Sequence, residues 1–387
     1  MTEISETLLD QRIETLRKGD FEVRFTDAKG QPVTGPVGYR LVRHAFPFGT
    51  AVAARWLLAD AKTDPDAARY QEVLRTHFNS AVAENAHKWY SMEKARGLVR
   101  DDEAAAVWKA CGELGLAMRG HCVFWGIDQY VLPWVKALEP AELEAAMRLR
   151  ATHLLSLFRG RITEWDLNNE MIHADYFART LGLPNGAAYF KWVSEIAPEN
   201  RYYVNDYGIL QAQEVDRYVA HIRGLIAAGA AVGGIGDQAH FGPDVPSNET
   251  MWTILDKLGQ FGLPVKITEF DINTTDEARQ AVDTRRVLRV CFAHPAVEGF
   301  LHWGFWQGSH WIPNAAMWRK DWTLKPNGEA YLQCLREWDT HGTAEAGPDG
   351  MLRFRGFYGD YRFDTGKGAV QVTVSRARTR ATASVGW

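Results

Sequence analysis

Residues 162–170 read I-T-E-W-D-L-N-N-E, and residues 267–271 repeat the beginning of that stretch as I-T-E-F-D. In both places a strand-like run rich in β-branched and aromatic residues ends in polar and acidic side chains. Strands rise about 3.3 Å per residue, so Glu164 and Glu170 would lie roughly 20 Å apart along an extended strand. Both glutamates therefore cannot lie at one end of it.

Short apolar runs of the same kind recur along the chain, with amphipathic helical patterns such as D-D-E-A-A-A-V-W-K-A-C-G-E-L (101–114) between them. The eight runs cover residues 46–53, 78–84, 117–125, 162–169, 201–206, 233–240, 264–271 and 298–305. Alternation of strand and helix at roughly 30 to 45 residues predicts βα units and a parallel sheet. Eight units over about 290 residues favour a (β/α)8 barrel.

A doubly wound sheet is the alternative architecture for alternating strands and helices. That fold usually carries a glycine-rich phosphate turn after an early strand. The nearest match, G-G-I-G-D-Q at 233–238, lacks the final glycine of that motif. The barrel is therefore the preferred prediction.

The two ends of the chain differ from the middle. Residues 20–43 and 351–376 alternate apolar and polar side chains around turn residues, which is typical of β-hairpins. We expect a helix and β-hairpin segment over 1–44, the barrel over 45–341, and a C-terminal β segment over 345–387. The two terminal segments should pair into a small β appendage beside the barrel.

The composition excludes several classes of function. The net charge is -4 and no basic run is present, which argues against general binding to nucleic acid or to an anionic membrane. The four cysteines follow no metal-ligand spacing, and we expect them to be reduced and buried. The N-terminus lacks the features of a secretory signal, so the protein is expected to be intracellular or to have lost a signal.

Polar residues at the ends of the predicted strands suggest the chemistry. Active sites of (β/α)8 barrels form where the C-terminal ends of the strands converge. The residues at those ends are Glu84, Asn85, Lys88, His121, Trp125, Asn169, Glu170, Asn205, Asp206, Gln238, His240, Glu269, Asp271, Trp303 and Trp311. Two carboxylates on opposite sides of one cavity, surrounded by amides and tryptophans, meet the requirements of glycosidic bond hydrolysis.

Five motifs resemble those of glycoside hydrolase family 10, the retaining endo-β-1,4-xylanases. They are F-N-S-A-V-A-E-N-A-H-K-W (78–89), R-G-H-C-V-F-W (119–125), W-D-L-N-N-E (165–170), G-D-Q-A-H (236–240) and I-T-E-F-D (267–271). The resemblance covers about residues 40–340. The ending F-R-G-F-Y-G-D-Y (354–361) is similar to the tail of a branch of the family found in plants and some bacteria.

The resemblance implies a role for each matching residue. It makes Glu170 the general acid/base and Glu269 the nucleophile, while Glu164 matches no catalytic position and is expected to be a structural or rim residue. The other matching residues are expected to bind or orient the substrate. Asn169 would bond the sugar 2-hydroxyl, His240 would orient Glu269 beside Gln238, Glu84, Asn85 and Lys88 would line the non-reducing side, His121 and Trp125 would contact substrate, and Trp303 and Trp311 would stack on the sugar.

The implied mechanism needs different pKa values from two glutamates. Glu269 should stay charged among hydrogen-bond donors, while burial and that nearby charge should raise the pKa of Glu170. One departure from the family pattern concerns specificity. The histidine that usually follows the tryptophan of strand three is replaced by Gly126, followed by Ile127, which removes polar contacts near the outer glycone subsites.

The sequence therefore predicts a retaining endo-β-1,4-xylanase that acts on xylan as a monomer, without a cofactor or a metal. No H-E-x-x-H motif occurs, and no H-x-H occurs in strand one, so a metal-dependent barrel hydrolase has little support. Two alternatives stay open. One is the same mechanism on another β-glycan or on imported xylo-oligosaccharides, and the other is a carbohydrate-binding barrel without turnover.

Overall fold

The computed structural model of the chain describes residues 4–386. Residues 1–3 and 387, which belong to the two predicted terminal segments, lie outside the described residues. The chain begins with helix α1 (Glu6–Arg17) and strands β1 (Lys18–Thr26) and β2 (Gly35–His44). The strands of the central sheet follow as β3 (Phe48–Val52), β4 (Ser80–Ala83), β5 (Ala117–Arg119), β6 (Phe124–Trp125), β7 (Glu164–Asn169), β8 (Arg201–Asp206), β9 (Gly234–Asp237), β10 (His240–Phe241), β11 (Val265–Ile272) and β12 (Val297–His302).

Helices separate these strands, and further strands complete the chain. The helices are α2 (Ala54–Leu57), α3 (Pro65–His77), α4 (Trp89–Met92), α5 (Asp102–Glu113), α6 (Pro133–Lys136), α7 (Pro140–Leu157), α8 (Tyr176–Leu181), α9 (Ala187–Ile196), α10 (Val215–Ala227), α11 (Asn248–Gly259), α12 (Glu277–Ala293) and α13 (Pro326–Glu337). The C-terminal strands are β13 (His341–Ala346), β14 (Met351–Phe357), β15 (Gly359–Asp364), β16 (Ala369–Val374) and β17 (Arg380–Ser384).

The central sheet is a closed, parallel (β/α)8 barrel. Its order, β5-β4-β3-β12-β11-β9-β8-β7-β6, begins and ends with the two halves of strand three. Gly120 joins the halves to β7, since its amide donates to the Glu164 carbonyl at 2.9 Å and its carbonyl accepts from the Asp166 amide at 3.0 Å. A Cβ at Gly120 would lie 2.1 Å from the Trp165 ring, so this closure requires glycine.

The outer helices begin at residues that satisfy free backbone amides. The Asp64 side chain accepts from the amides of Asp66 and Ala67 at the start of α3, and Asp276 accepts from the Arg279 amide at the start of α12. The helices bury apolar faces against the barrel in one large core.

The terminal segments pair with each other, in a different arrangement from the predicted one. β1 lies between β14 and β17 in a three-stranded sheet, while β2 lies between β13 and β15 in a four-stranded sheet that ends with β16. Residues 20–43 therefore do not form a hairpin, and that prediction is wrong. The apolar face of the three-stranded sheet, which contains β1, packs against the apolar face of the four-stranded sheet, which contains β2. Together they enclose a second hydrophobic core, because each sheet must bury its apolar face against another layer.

The four cysteines agree with the expectation from the sequence. Cys111, Cys122, Cys291 and Cys334 are free and buried. Burial raises the pKa of the Cys111 thiol to about 12, so it is protonated and unreactive at neutral pH. Among residues 4–386, no helix is both long enough and apolar enough to cross a bilayer.

Candidate active site

The carboxyl ends of the barrel strands bring the predicted site residues together. Glu170 follows β7, Glu269 lies near the end of β11, and His240 begins β10. The backbone of Glu170 has a φ of 62°, in the left-handed region that side chains with a Cβ rarely adopt. Its amide donates to the Asn205 carbonyl at 2.8 Å, which ties this conformation to the end of β8.

Three donors hold the Glu170 carboxylate. Trp125 Nε1 donates to Oε2 at 2.9 Å, and Gln238 Nε2 and Asn169 Nδ2 each donate to Oε1 at 3.0 Å. Burial raises the pKa of Glu170 against these hydrogen bonds, and the charge of Glu269 raises it further. This is the direction that a general acid needs.

Glu269 is 4% exposed and has a separate set of neighbours. Asn205 Nδ2 donates to its Oε1 at 2.7 Å, and His240 Nε2 lies 3.4 Å from its Oε2. The Nδ1 atom of His121 lies 4.0 Å from Oε1. The carboxylate is therefore surrounded by an amide donor and two imidazoles.

One amide connects the two carboxylates. Asn205 Nδ2, which donates to Glu269, also donates to Asn169 Oδ1 at 2.8 Å, and Asn169 in turn donates to Glu170. The Thr268 hydroxyl donates to Asn205 Oδ1 at 2.6 Å and so fixes the orientation of that amide. Asn205 was noted at a strand end but was not among the predicted site residues, because its role depends on partners from two other strands.

His240 bridges two acidic groups. Its Nε2 faces Glu269, and its Nδ1 lies 3.1 Å from Asp271 Oδ1. Burial by itself would lower the pKa of the imidazole, but Asp271 and Glu269 raise it to about 10. His240 is therefore a cation at neutral pH and can stabilise the charge of Glu269.

The two tryptophans after β12 differ in exposure. Trp303 is 8% exposed and meets the His121 ring edge-on at a centroid distance of 5.0 Å. Trp311 is 53% exposed, and its Nε1 donates to Asp271 Oδ2 at 2.7 Å. Trp311 thus has open ring surface for a ligand, whereas Trp303 is a wall of the buried part of the site.

The ring of Trp125 has two close neighbours. Tyr130 stacks on its ring at a centroid distance of 4.0 Å, and Lys88 Nζ lies 4.5 Å from the ring centroid. The predicted contact of Trp125 with substrate stays a prediction. Its N–H is used by Glu170.

The residues after β4 lie beside this tryptophan. Asn85 Oδ1 accepts from Tyr90 Oη at 2.7 Å and faces Lys88 Nζ at 3.4 Å. Burial raises the pKa of Glu84, while Lys88 and Asn85 oppose the increase. The predicted set Glu84, Asn85 and Lys88 is thus one polar cluster at the end of β4.

Glu164 lies at the opposite end of the barrel from Glu170. It begins β7 and forms an ion pair with Lys266 of β11. Burial by itself would raise its pKa, but Lys266 and Arg119 outweigh it and hold the carboxyl pKa below its usual range. Of the two roles expected for Glu164, structural residue or residue at the rim of the site, the structure supports the structural one.

Gly126 supports the segment that follows Glu170. The Tyr176 amide donates to the Gly126 carbonyl at 2.9 Å, and a Cβ at Gly126 would lie 2.9 Å from Asp175 Oδ1. The space of a side chain at position 126 is therefore filled by the start of α8. The sequence shows that a side chain is absent at position 126, but it does not show that Asp175 and Tyr176 fill the space.

The family model of Glycosyl hydrolase family 10 matches residues 39–333. Anti-sigma-I factor RsgI6 of Acetivibrio thermocellus is 36% identical over 96% of this chain and 48% of its own length. Endo-1,4-beta-xylanase 3 of Arabidopsis thaliana is 30% identical over 91% of this chain and 47% of its own length. The chain spans about half the length of these two relatives.

The fold also matches solved structures. Native xylanase 10B from Thermotoga maritima has a TM-score of 0.68 at 23% identity, over 76% of this chain and 95% of that one. The intracellular xylanase TsXylA from Thermoanaerobacterium saccharolyticum has a TM-score of 0.67 at 24% identity, over 74% of this chain and 95% of that one. These similarities support the barrel fold.

Proposed function

Since this chain belongs to glycosyl hydrolase family 10, we propose that it is a retaining endo-1,4-β-xylanase that hydrolyses internal β-1,4 bonds of xylan. The observation that carries the proposal is the hydrogen-bond network that joins Glu170 and Glu269 through Asn169 and Asn205. A carboxyl group with a raised pKa and a second carboxylate among donors are the two groups that this chemistry uses.

In the first step Glu170 protonates the leaving glycosidic oxygen while Glu269 attacks the anomeric carbon. The bond to the leaving sugar breaks, and a covalent bond from Glu269 to the remaining sugar forms. His240 as a cation favours the ionised nucleophile before the attack.

In the second step Glu170 acts as a base. The charge of Glu269, which contributes to the raised pKa of Glu170, disappears when the glycosyl-enzyme forms. Glu170 then accepts a proton from water, and the water oxygen replaces Glu269 at the anomeric carbon. The product keeps the β configuration after two displacements.

Xylan is the preferred substrate because several relatives are named endo-1,4-beta-xylanases. Trp303 lies beside His121 and the exposed Trp311 lies beside His240. Both rings would crowd the hydroxymethyl group of a hexose. Comparing the products from xylan, arabinoxylan and mixed-linkage glucan would separate a xylanase from a hydrolase of other β-glycans.

Two variants test the assignment of the carboxylates. Glu269→Ala should lower turnover of xylan to background, because the variant lacks the carboxylate that forms the glycosyl-enzyme. Glu170→Ala should lose far more activity on xylan than on an aryl xylobioside with a good leaving group, which needs little protonation. Near wild-type turnover by Glu269→Ala, or equal losses on both substrates for Glu170→Ala, would contradict the assignment.

A carbohydrate-binding barrel without turnover is the second candidate. The relative with 36% identity is named a regulator, an anti-sigma-I factor, instead of an enzyme. Calorimetry with xylohexaose and product analysis on the same wild-type sample would decide between the two. Binding without product formation over long incubation supports the second candidate and contradicts the first.

A further inference from the structure

A chain of buried polar contacts inside the barrel links Arg119, Asp166 and His121 to Glu269. Arg119 of β5 is 3% exposed and forms an ion pair with Asp166 of β7, which is 1% exposed. The guanidinium lies 4.3 Å from the centre of the Tyr203 ring. Charges buried this deeply are costly unless they are paired, and these two pair with each other.

The partner above the pair is His121. Its Nδ1 lies 2.9 Å from Asp166 Oδ2 and 4.0 Å from Glu269 Oε1. One imidazole nitrogen thus faces two carboxylates, of which one is the proposed nucleophile.

The protonation of Asp166 fixes the tautomer of His121. Burial by itself would raise the pKa of Asp166, but Arg119 and His121 outweigh it and hold the pKa below its usual range. An ionised carboxylate can only accept, so the proton of a neutral His121 must be on Nδ1. Nε2 is then the nitrogen free to contact a ligand.

The charge of Arg119 also matters to Glu269. Without Arg119, the negative charge of Asp166 would stand one imidazole away from the nucleophile and would oppose its ionisation. Without Asp166, the guanidinium would stand there unpaired and would favour that ionisation.

We propose that Arg119 and Asp166 are positioning residues for the first chemical step. They hold His121 in the Nδ1–H tautomer. Because their charges cancel, Glu269 provides the only uncompensated negative charge among the two carboxylates that face His121. The inference rests on the proposed role of Glu269. The other charged groups near Glu269 are His240, Asp271, Glu170 and Lys88, and the ion pair of Glu164 and Lys266 interacts with Arg119 from the other side. All of these groups stay unchanged in the variants of Arg119 and Asp166.

The test is the pH dependence of kcat/KM on a dinitrophenyl β-xylobioside, whose good leaving group makes ionisation of the nucleophile the acidic limb. Arg119→Met should move that limb up by about one pH unit, which lowers kcat/KM about tenfold below the limb. Asp166→Asn should move it in the opposite direction. The double variant should return the limb close to its wild-type position.

A matched control is an ion pair in the outer helix α12, Asp283 with Arg286, whose carboxylate is also buried. The double variant Asp283→Asn/Arg286→Met should leave the acidic limb in place. If Arg119→Met and Asp166→Asn reduce activity with an unmoved limb, or move it in the same direction, the residues are merely structural and the proposal is overturned.

The tautomer is measured on the wild-type protein, so it does not depend on whether a variant folds. Nitrogen-15 NMR of neutral His121, assigned with His121→Asn, should show the proton on Nδ1. A proton on Nε2 would overturn the proposal. A wild-type protein with this tautomer but no hydrolysis of the aryl substrate would refute the proposed function instead.

Discussion

At the scale of single residues, the site depends on how neighbours set the protonation of two glutamates. Trp125 is an example, because its ring contacts Tyr130 and Lys88 while its N–H donates to Glu170. A donor to a carboxylate stabilises the charged form and lowers its pKa.

Replacing Trp125 by Phe should therefore raise the pKa of Glu170. The protonated acid would persist to higher pH, so the basic limb of kcat/KM on an unactivated xylo-oligosaccharide should move upward by roughly half a pH unit to one unit. Trp134→Phe is the control, since that N–H donates to the Glu93 carbonyl instead. An unchanged or lowered basic limb in Trp125→Phe would argue against this contact.

His240 predicts a pH dependence of stability. Its pKa is raised from 6.5 to about 10 in the folded state, so its charge stabilises the fold fully below about pH 6.5. This contribution is lost as the pH rises toward 10. Urea midpoints measured from pH 6 to pH 10 should fall more in the wild type than in His240→Asn, and parallel curves would show that the imidazole is not a buried cation.

At the scale of elements, the start of α8 packs against the backbone of Gly126, directly after the second half of strand three. Adding a methyl group at Gly126 would bring it 2.9 Å from Asp175 Oδ1 and 3.0 Å from the Tyr176 amide. Because Asp175 also caps α8, the helix start has to shift.

Gly126→Ala should thus lower the free energy of unfolding by about 1–3 kcal/mol, the usual cost of overpacking. Gly112→Ala is the matched control: that glycine lies in α5, and beyond its chain neighbours and the nearby helix backbone no atom lies within 4 Å of the new methyl group. It should stabilise the protein by roughly 0.5–1 kcal/mol, because alanine is the better helix former. Equal effects of the two variants in urea unfolding would remove the claim that Gly126 is a contact point.

At the scale of the whole molecule, the terminal strands and the barrel share elements. Phe357 of β14 contacts Phe292 of the barrel helix α12. Arg17 at the end of α1 donates to the carbonyls of Phe292, His294 and Val297. The terminal segments are therefore attached to the barrel by side-chain contacts as well as by the covalent backbone.

Deleting residues 345–387 should give an insoluble or aggregated protein. The deletion exposes the apolar faces of β1 and β2, because it removes both neighbours of β1 (β14 and β17) and one neighbour of β2 (β15). Size-exclusion chromatography of the truncated chain is the measurement. A soluble monomer with full activity would show that the terminal sheets are dispensable, and it could then be tested for binding to insoluble xylan.

Much of this molecule was predictable because its signals are local. Each barrel strand is a short apolar run that ends in polar residues, so the eight runs and the positions of Glu170 and Glu269 followed from the sequence. The partner of β1 was not predictable, since alternation gives the buried face of a strand but not its neighbour. The contacts of Trp125 with Tyr130 and of Gly126 with Asp175 were missed for the same reason, because they join segments that only the closed barrel brings together.

The most direct test of the central claim is to trap the glycosyl-enzyme. An activated 2-fluoro xylobioside forms the covalent bond faster than water releases it, because the fluorine slows both steps and the good leaving group restores the first. Peptide mass spectrometry of the trapped protein should place the sugar on Glu269. A label on another residue, or hydrolysis of substrate with no covalent label and with inversion at the anomeric carbon, would contradict the account.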